Sequence, residues 1–373
     1  MLESDVAAGK IPGAVVLLVH DGDVAYEHAC GVRERANGTA MTRDTLFRIA
    51  SMTKPIVSVA AMMLVEEGRL ALTDPVAMHL PAFEDVRVGV DAVRPRRPPT
   101  VHDLLRHTSG LTYAHTGDTP IHDAYRAKGV GDRRDTSADF IAKLASIPLL
   151  YEPGSTWEYG MSTDVLGCVV EAVEGETLGR VLARRVFEPL EMTETSFTID
   201  PSQHVRLAEA DRGADGIDPL AYLYDPARTD TRFEPGGAGL VSTAHDYARF
   251  AATFVPSDAR HSPVLLGRKT LASMTSDHLP PGYAITPLTG NFGVSSPLPE
   301  FGQGFGLGLS VRLATGRNPS AGSVGDVSWS GVSGTYFWVD PAERLVAIFL
   351  SAAPGPRVHY RELMRNMVYA ALR

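Results

Sequence analysis

Strand-forming runs sit at both ends of this 373-residue chain, and helical ones fill the middle. Near the N-terminus, residues 13–20 form a β-rich apolar run, Asp21-Gly22 is a hairpin turn signal, and 23–31 can return as a second strand. Far away, 305–311 reads as one strand and 327–330 as the start of the next. Residues 334–339 and 345–350, with Asp340-Pro341 as turn, read as a hairpin, and 358–372 as a closing helix. Between them, 101–105, 138–145, 164–173, 179–187 and 243–254 carry helical spacing of apolar residues. Long loops rich in Gly, Pro and Asp separate these, notably 113–135 and 200–239. The pattern predicts an α/β fold of the α+β type: an antiparallel sheet built from both chain ends and flanked by helices, with an inserted, mostly helical lobe. We expect one domain over 1–373, with an α/β lobe from about 1–60 and 290–373 and a helical lobe of about 61–289. The cleft between such lobes is the default place for a site.

The most informative short stretch is Ser51-Met52-Thr53-Lys54-Pro55, just ahead of the apolar run 56–65. Positions i and i+3 of a helix share a face, so the Lys54 amine can sit beside the Ser51 hydroxyl. A serine needs a nearby base to become a nucleophile. A lysine can be that base only where burial or neighbouring positive charge favours its neutral form. At a helix start the Ser51 N–H would also lie near the positive end of the helix dipole. The pattern alone is common, and its plainer reading is an N-capping serine followed by a surface lysine. Lysine is nonetheless scarce here: Lys10, Lys54, Lys128, Lys143 and Lys269 stand against a large excess of arginine.

Composition removes several function classes. A net charge of −9 and a pI near 5.7 argue against a nucleic-acid or anionic-membrane surface. The basic cluster at 93–99 is short, proline-rich and reads as a solvated loop. Cys30 and Cys168 form no metal-ligand spacing, no HExxH occurs and the histidines are scattered, so no metal or cofactor is expected. No uninterrupted apolar stretch approaches the ~20 residues that span a bilayer. The opening Met1-Leu2-Glu3-Ser4-Asp5 lacks the basic region and apolar run of a signal peptide, and a cytoplasmic protein is the expectation.

Three further segments bear on Ser51. Tyr159 follows a Pro153-Gly154 turn and precedes a helix; its oxygen, beside Lys54, can take the Ser51 proton and pass it to a leaving group. Trp329-Ser330-Gly331-Val332 lies on a late strand, where glycine lets an acyl group lie close and the Val332 N–H can join that of Ser51 as an oxyanion donor. His107-Thr108-Ser109-Gly110-Leu111 suggests a Ser-His dyad. Two residues apart at a helix end, those side chains diverge, so we read them as caps and loop supports.

Order and spacing of these motifs along nearly the whole chain resemble the serine β-lactamase and penicillin-binding-protein superfamily. The likeness is to its class C β-lactamase-like branch, and closest to the family VIII carboxylesterases. Ser51-Met52-Thr53-Lys54 is similar to the family's nucleophile motif, and Tyr159-Gly160-Met161 stands where the branch has Tyr-x-Asn. Trp329-Ser330-Gly331 stands where Lys-Thr-Gly would be; Gly236-Gly237-Ala238-Gly239-Leu240 resembles a framework signature. Trp329 cannot form the lysine's ion pair with a drug carboxylate, and Met161 cannot replace the asparagine's donor and acceptor. An aromatic and a thioether suit an uncharged group instead. No serine has glycine at both −2 and +2, so a Gly-x-Ser-x-Gly elbow is absent.

The resemblance implies a serine carboxylesterase acting on short-chain, uncharged esters through an acyl-enzyme on Ser51. Lys54 and Tyr159 would be its coupled base, the N–H groups of Ser51 and Val332 its oxyanion donors, and Trp329, Ser330, Gly331 and Met161 its substrate contacts. A small-molecule ester is the only partner implied. Three alternatives stay open: another acyl-transfer enzyme on the same site (a weak β-lactamase, a D-amino-acid peptidase or an acyltransferase), a non-catalytic binding protein with this fold, and a secreted penicillin-binding protein acting on cell wall. The missing signal peptide and the missing Lys of Lys-Thr-Gly both count against the last.

Overall fold

The computed structural model describes residues 1–210, 219–225, 227–256, 264–286, 292–293 and 295–372. Among these, eight strands form one antiparallel sheet: β1 (Gly13–His20), β2 (Asp23–Glu34), β3 (Thr39–Ala40), β4 (Gln303–Phe305), β5 (Ser310–Arg312), β6 (Val327–Ser330), β7 (Tyr336–Asp340) and β8 (Leu345–Ser351). Their order is β3-β2-β1-β8-β7-β6-β5-β4, so the two chain ends meet where β1 pairs with β8, Leu17 opposite Ile348. This is the mixed α/β architecture expected from the sequence.

Period-two alternation decides which face each strand residue takes. Val15, Leu17, Val327, Trp329, Phe337, Ile348 and Leu350 enter the main core. Ala14, Val16, Tyr336, Trp338, Ala347 and Phe349 face the other way, onto Tyr360, Met364 and Val368 of the C-terminal helix (Arg357–Ala371). Arg365 of that helix makes a two-pronged ion pair with Asp326, at 2.9 and 3.0 Å, which fixes the helix against the sheet.

The helix Thr53–Glu66 is buried on nearly every side, as an apolar run without a polar face must be. It packs against the Ser162–Glu174 and Leu178–Leu182 helices. None of the helices, among the described residues, is long and apolar enough to cross a membrane.

Three expectations need correction. The run 305–311 is not one strand but a hairpin: β4 ends at Phe305, β5 begins at Ser310, and Gly308 turns the chain at φ +93°. A Cβ there would lie 2.1 Å from Ser58 Oγ, so glycine serves both the turn and the close approach. The 113–135 segment contains a helix, Pro120–Ala127, begun by Thr119 at the N-cap and proline at N1. The 200–239 segment contains the short 3₁₀ turn Pro201–Arg206, while 211–218 and 226 lie outside the described residues. The boundary near 289–290 lies outside them too.

Candidate active site

Ser51 sits in a 3₁₀ turn, Ala50–Met52, that runs directly into the Thr53–Glu66 helix. Ala50 is fully buried at φ +47°, a left-handed conformation that a non-glycine residue holds only when its surroundings impose it. Those surroundings are explicit. The Ile49 N–H donates to the Leu240 carbonyl, Tyr247 Oη to the Met52 carbonyl at 2.8 Å, and Thr335 Oγ1 to the Ile49 carbonyl. The turn that carries the serine is thus tied to three distant segments.

Lys54 follows one turn later and is fully buried. Its Nζ donates to the Gly237 carbonyl at 2.7 Å, to Tyr113 Oη at 3.0 Å and to Ser51 Oγ at 3.4 Å. The last contact is long, as catalytic hydrogen bonds often are before substrate binds. The same Nζ lies 4.6 Å from the centre of the Tyr159 ring. Tyr159 is 8% exposed and packed among His107, Phe292 and Trp329, and its hydroxyl accepts from Trp329 Nε1 at 3.3 Å.

Gly331 is the residue through which β6 reaches the serine turn. A Cβ at this position would lie 2.5 Å from the Ile49 carbonyl oxygen and 3.2 Å from Ala50 Cβ. Val332 follows Gly331 as Ser51 follows Ala50. Val332 and Ser51 line a cavity of about 290 Å³, with Tyr113, Tyr159, Phe292 and Ser330 on its walls and Arg357 and Arg361 reaching in from the C-terminal helix. A second hollow of about 300 Å³, under Pro75 and Pro98, holds Glu84, Asp85 and Arg94 and no nucleophile.

The remaining residues singled out from sequence lie farther back. Trp329 is fully buried and meets the cavity through Tyr159 and Phe292, with which its ring packs. Met161 caps the Ser162–Glu174 helix, and its side chain lies against Gly131. Ser109 Oγ bonds to Ser162 Oγ at 2.9 Å, not to His107, which rules out the dyad. His107 is fully buried at φ +57°, and neither ring nitrogen has a hydrogen-bond partner among the described residues. Burial, with the Lys54 charge second, drives its pKa well below the ordinary histidine value, so it is neutral.

Sequence reasoning missed three contributors. Tyr113 shares the Lys54 amine, and burial, reinforced by the Asp164 carboxylate, pushes its phenol well above the ordinary tyrosine value. Tyr113 therefore keeps its proton. Gly237 accepts Lys54 through its carbonyl and donates its N–H to Asp164 Oδ1 at 2.9 Å, which gives the glycine-rich segment a direct part in holding the lysine. Arg361 comes from the far C-terminal helix. Only the scarcity of lysine and the glycine run were visible beforehand.

Residues 1–371 match the family model described as Beta-lactamase. Esterase EstB of Burkholderia gladioli is 33% identical, over 97% of this chain and 91% of that protein. Lovastatin esterase of Penicillium rubens is 30% identical, over 83% and 82%. Among solved structures, EstCE1, described as a hydrolase with promiscuous acyltransferase activity, superposes with a TM-score of 0.82 at 28% identity, covering 99% of this chain and 96% of that one.

Proposed function

The chain belongs to the beta-lactamase family and is a hydrolase of it, and from that premise we propose a serine carboxylesterase that cleaves esters with a short, uncharged acyl group. The whole chain is taken as one catalytic domain. The observation that carries the reading is the buried Lys54 amine, 3.4 Å from the Ser51 hydroxyl and over the Tyr159 ring, behind two residues that line a cavity of about 290 Å³.

In the proposed reaction Ser51 Oγ attacks the ester carbonyl carbon as its proton passes to the Lys54–Tyr159 pair. The exchange is assigned to Tyr159, which stands at the family's Tyr-x-Asn position and has its ring centre 4.6 Å from Lys54 Nζ. The N–H groups of Ser51 and Val332 hold the negative oxygen of the tetrahedral intermediate; losing one such donor costs roughly 2.7–4 kcal/mol. The C–O bond to the alcohol then breaks, the alcohol oxygen takes the proton, and water repeats the sequence to release the acid. Ser330 and the glycine edge at Gly331 border the acyl group. Phe292 and Tyr159 supply an apolar wall, with Trp329 behind them; Met161, two residues after Tyr159, is the remaining proposed substrate contact. The esterases among its relatives support this substrate class over β-lactams.

One relative's description favours a second outcome on the same acyl-enzyme, transfer to an alcohol instead of water. Initial rates on p-nitrophenyl esters from acetate to dodecanoate, with and without an added alcohol, separate the two. A chromogenic cephalosporin and Ser51→Ala run in parallel. Fast short-chain turnover that vanishes in Ser51→Ala supports the esterase. Rates unchanged by that substitution would overturn the site, and faster cephalosporin turnover would overturn the substrate class.

A further inference from the structure

We propose that Arg361 is a positioning residue of the oxyanion hole, acting through the peptide group between Gly331 and Val332. The inference rests on the role assigned above to the Val332 N–H. Arg361 Nη2 donates to the Gly331 carbonyl oxygen at 2.8 Å. That oxygen and the Val332 N–H belong to one conjugated peptide unit, so electron density drawn toward the guanidinium leaves the N–H a stronger donor. Charge-assisted hydrogen bonds are roughly twice as strong as neutral ones, and this one lies in a dry setting: Arg361 is 3% exposed.

Among the described residues, the charge on Arg361 has no carboxylate partner before the reaction. One turn later on the same helix, Arg365 spends its charge on Asp326, at 2.9 and 3.0 Å. Arg361 pairs with no carboxylate among the described residues, and its Nε has no hydrogen-bond partner there. Arg357, one turn earlier, adds a second positive charge on the same wall of the cavity. Burying a guanidinium without a counter-ion is costly. The missing negative charge appears when Ser51 attacks, on the alkoxide of the tetrahedral intermediate, and leaves when that intermediate collapses. Arg361 thus stabilises the charged intermediate more than the neutral ester, which is what raises kcat.

The test compares the full-length enzyme with Arg361→Met and Arg361→Lys on p-nitrophenyl acetate and on an alkyl trifluoromethyl ketone, whose adduct with a serine carries a tetrahedral oxyanion. Removing an oxyanion donor outright costs about 10²–10³ in kcat, and weakening one costs a smaller share, about tenfold. Arg361→Met is therefore expected to lower kcat/KM about tenfold with KM nearly unchanged, and to raise the ketone Ki by a similar factor. Arg361→Lys should restore part of both. Because a merely structural defect would not make the ketone Ki follow kcat/KM, that parallel is the decisive readout. If the methionine variant does not fold, the lysine variant carries the same comparison. An unchanged ketone Ki, or a loss confined to the KM of p-nitrophenyl acetate, would overturn the proposal. Ser51→Ala keeps the two questions apart: full activity there sinks the esterase reading, whereas a failed Arg361 comparison with Ser51 still essential sinks only this one.

Discussion

The Trp329 indole N–H donates to the Tyr159 hydroxyl at 3.3 Å, from a side chain with no exposed surface. In the proposed reaction this tryptophan therefore steadies the tyrosine that faces the substrate instead of binding substrate charge. Trp329→Phe keeps an aromatic ring against Phe292 and Phe305 and removes the donor along with part of the buried indole. A hydrogen bond to a group that carries charge in the transition state is worth about 1.5–3 kcal/mol, so kcat should fall about 10- to 100-fold with KM little changed. Steady-state kinetics on a short-chain ester check this; an unchanged kcat would mean that the bond is idle in the reaction.

Two tyrosines flank the Lys54 amine, and they should respond differently to losing their hydroxyls. Tyr113 accepts from Lys54 at 3.0 Å and holds its own proton because burial disfavours its phenolate. In the proposed reaction Tyr159 is the one that exchanges a proton with Ser51. General acid–base contributions run about 10²–10⁴-fold, so Tyr159→Phe should lower kcat by that order, and Tyr113→Phe by less than about tenfold. Single-turnover rates of acylation give the comparison. The reverse ranking would move the proton-carrying role to Tyr113.

What the sequence made legible follows from where the information is local. The Ser51–Lys54 pairing is an i, i+3 relation within one turn, and the β1–β2 hairpin is announced by Asp21-Gly22. The error at 305–311 arose because alternating Gly and Leu copies a strand's period while Gly308 takes a positive φ that no pattern reveals. The helix Pro120–Ala127 had a usable signal, Thr119-Pro120, overlooked among neighbouring glycines. Tyr113, Gly237 and Arg361 were not readable, since each meets the site across 59, 183 or 30 residues of chain, a relation only the packed fold creates.

Gly331 is where added bulk should separate the two proposed oxyanion donors. An alanine Cβ would lie 2.2 Å from Thr335 Oγ1 and 2.5 Å from the Ile49 carbonyl oxygen. The threonine can rotate away; the Ile49 backbone cannot. Its neighbour Ala50 is already held at positive φ, so β6 must yield and carry Val332 from Ser51. Gly331→Ala should cost about 1–3 kcal/mol of stability through overpacking. Its kcat/KM should fall about 100-fold, close to the loss of one oxyanion donor. Thermal melts and ester kinetics on the same sample would show both effects; normal turnover would mean that the strand's closeness to the serine turn is not needed.

His107 gives the enzyme a stability that depends on pH. Its ring is buried among Tyr159, Trp157 and Phe305, and both burial and the Lys54 charge resist its protonation, so the folded pKa lies well below the ordinary 6.5. Between those two values the unfolded chain binds a proton that the folded chain does not, and stability must fall as pH drops below about 6.5. His102, lowered to about 4 mainly by burial, acts in the same direction. The buried carboxyls of Asp164 and Glu158, raised by burial, act in the opposite one, because acid favours their neutral forms. Those groups remain in His107→Phe, so the difference between the two proteins isolates His107. From about pH 7.5 to about pH 5 the wild-type Tm should fall more than that of His107→Phe, whose aromatic ring fills the same space without a titrating group. Parallel shifts in the two melting curves would show that this histidine is not held neutral by the fold.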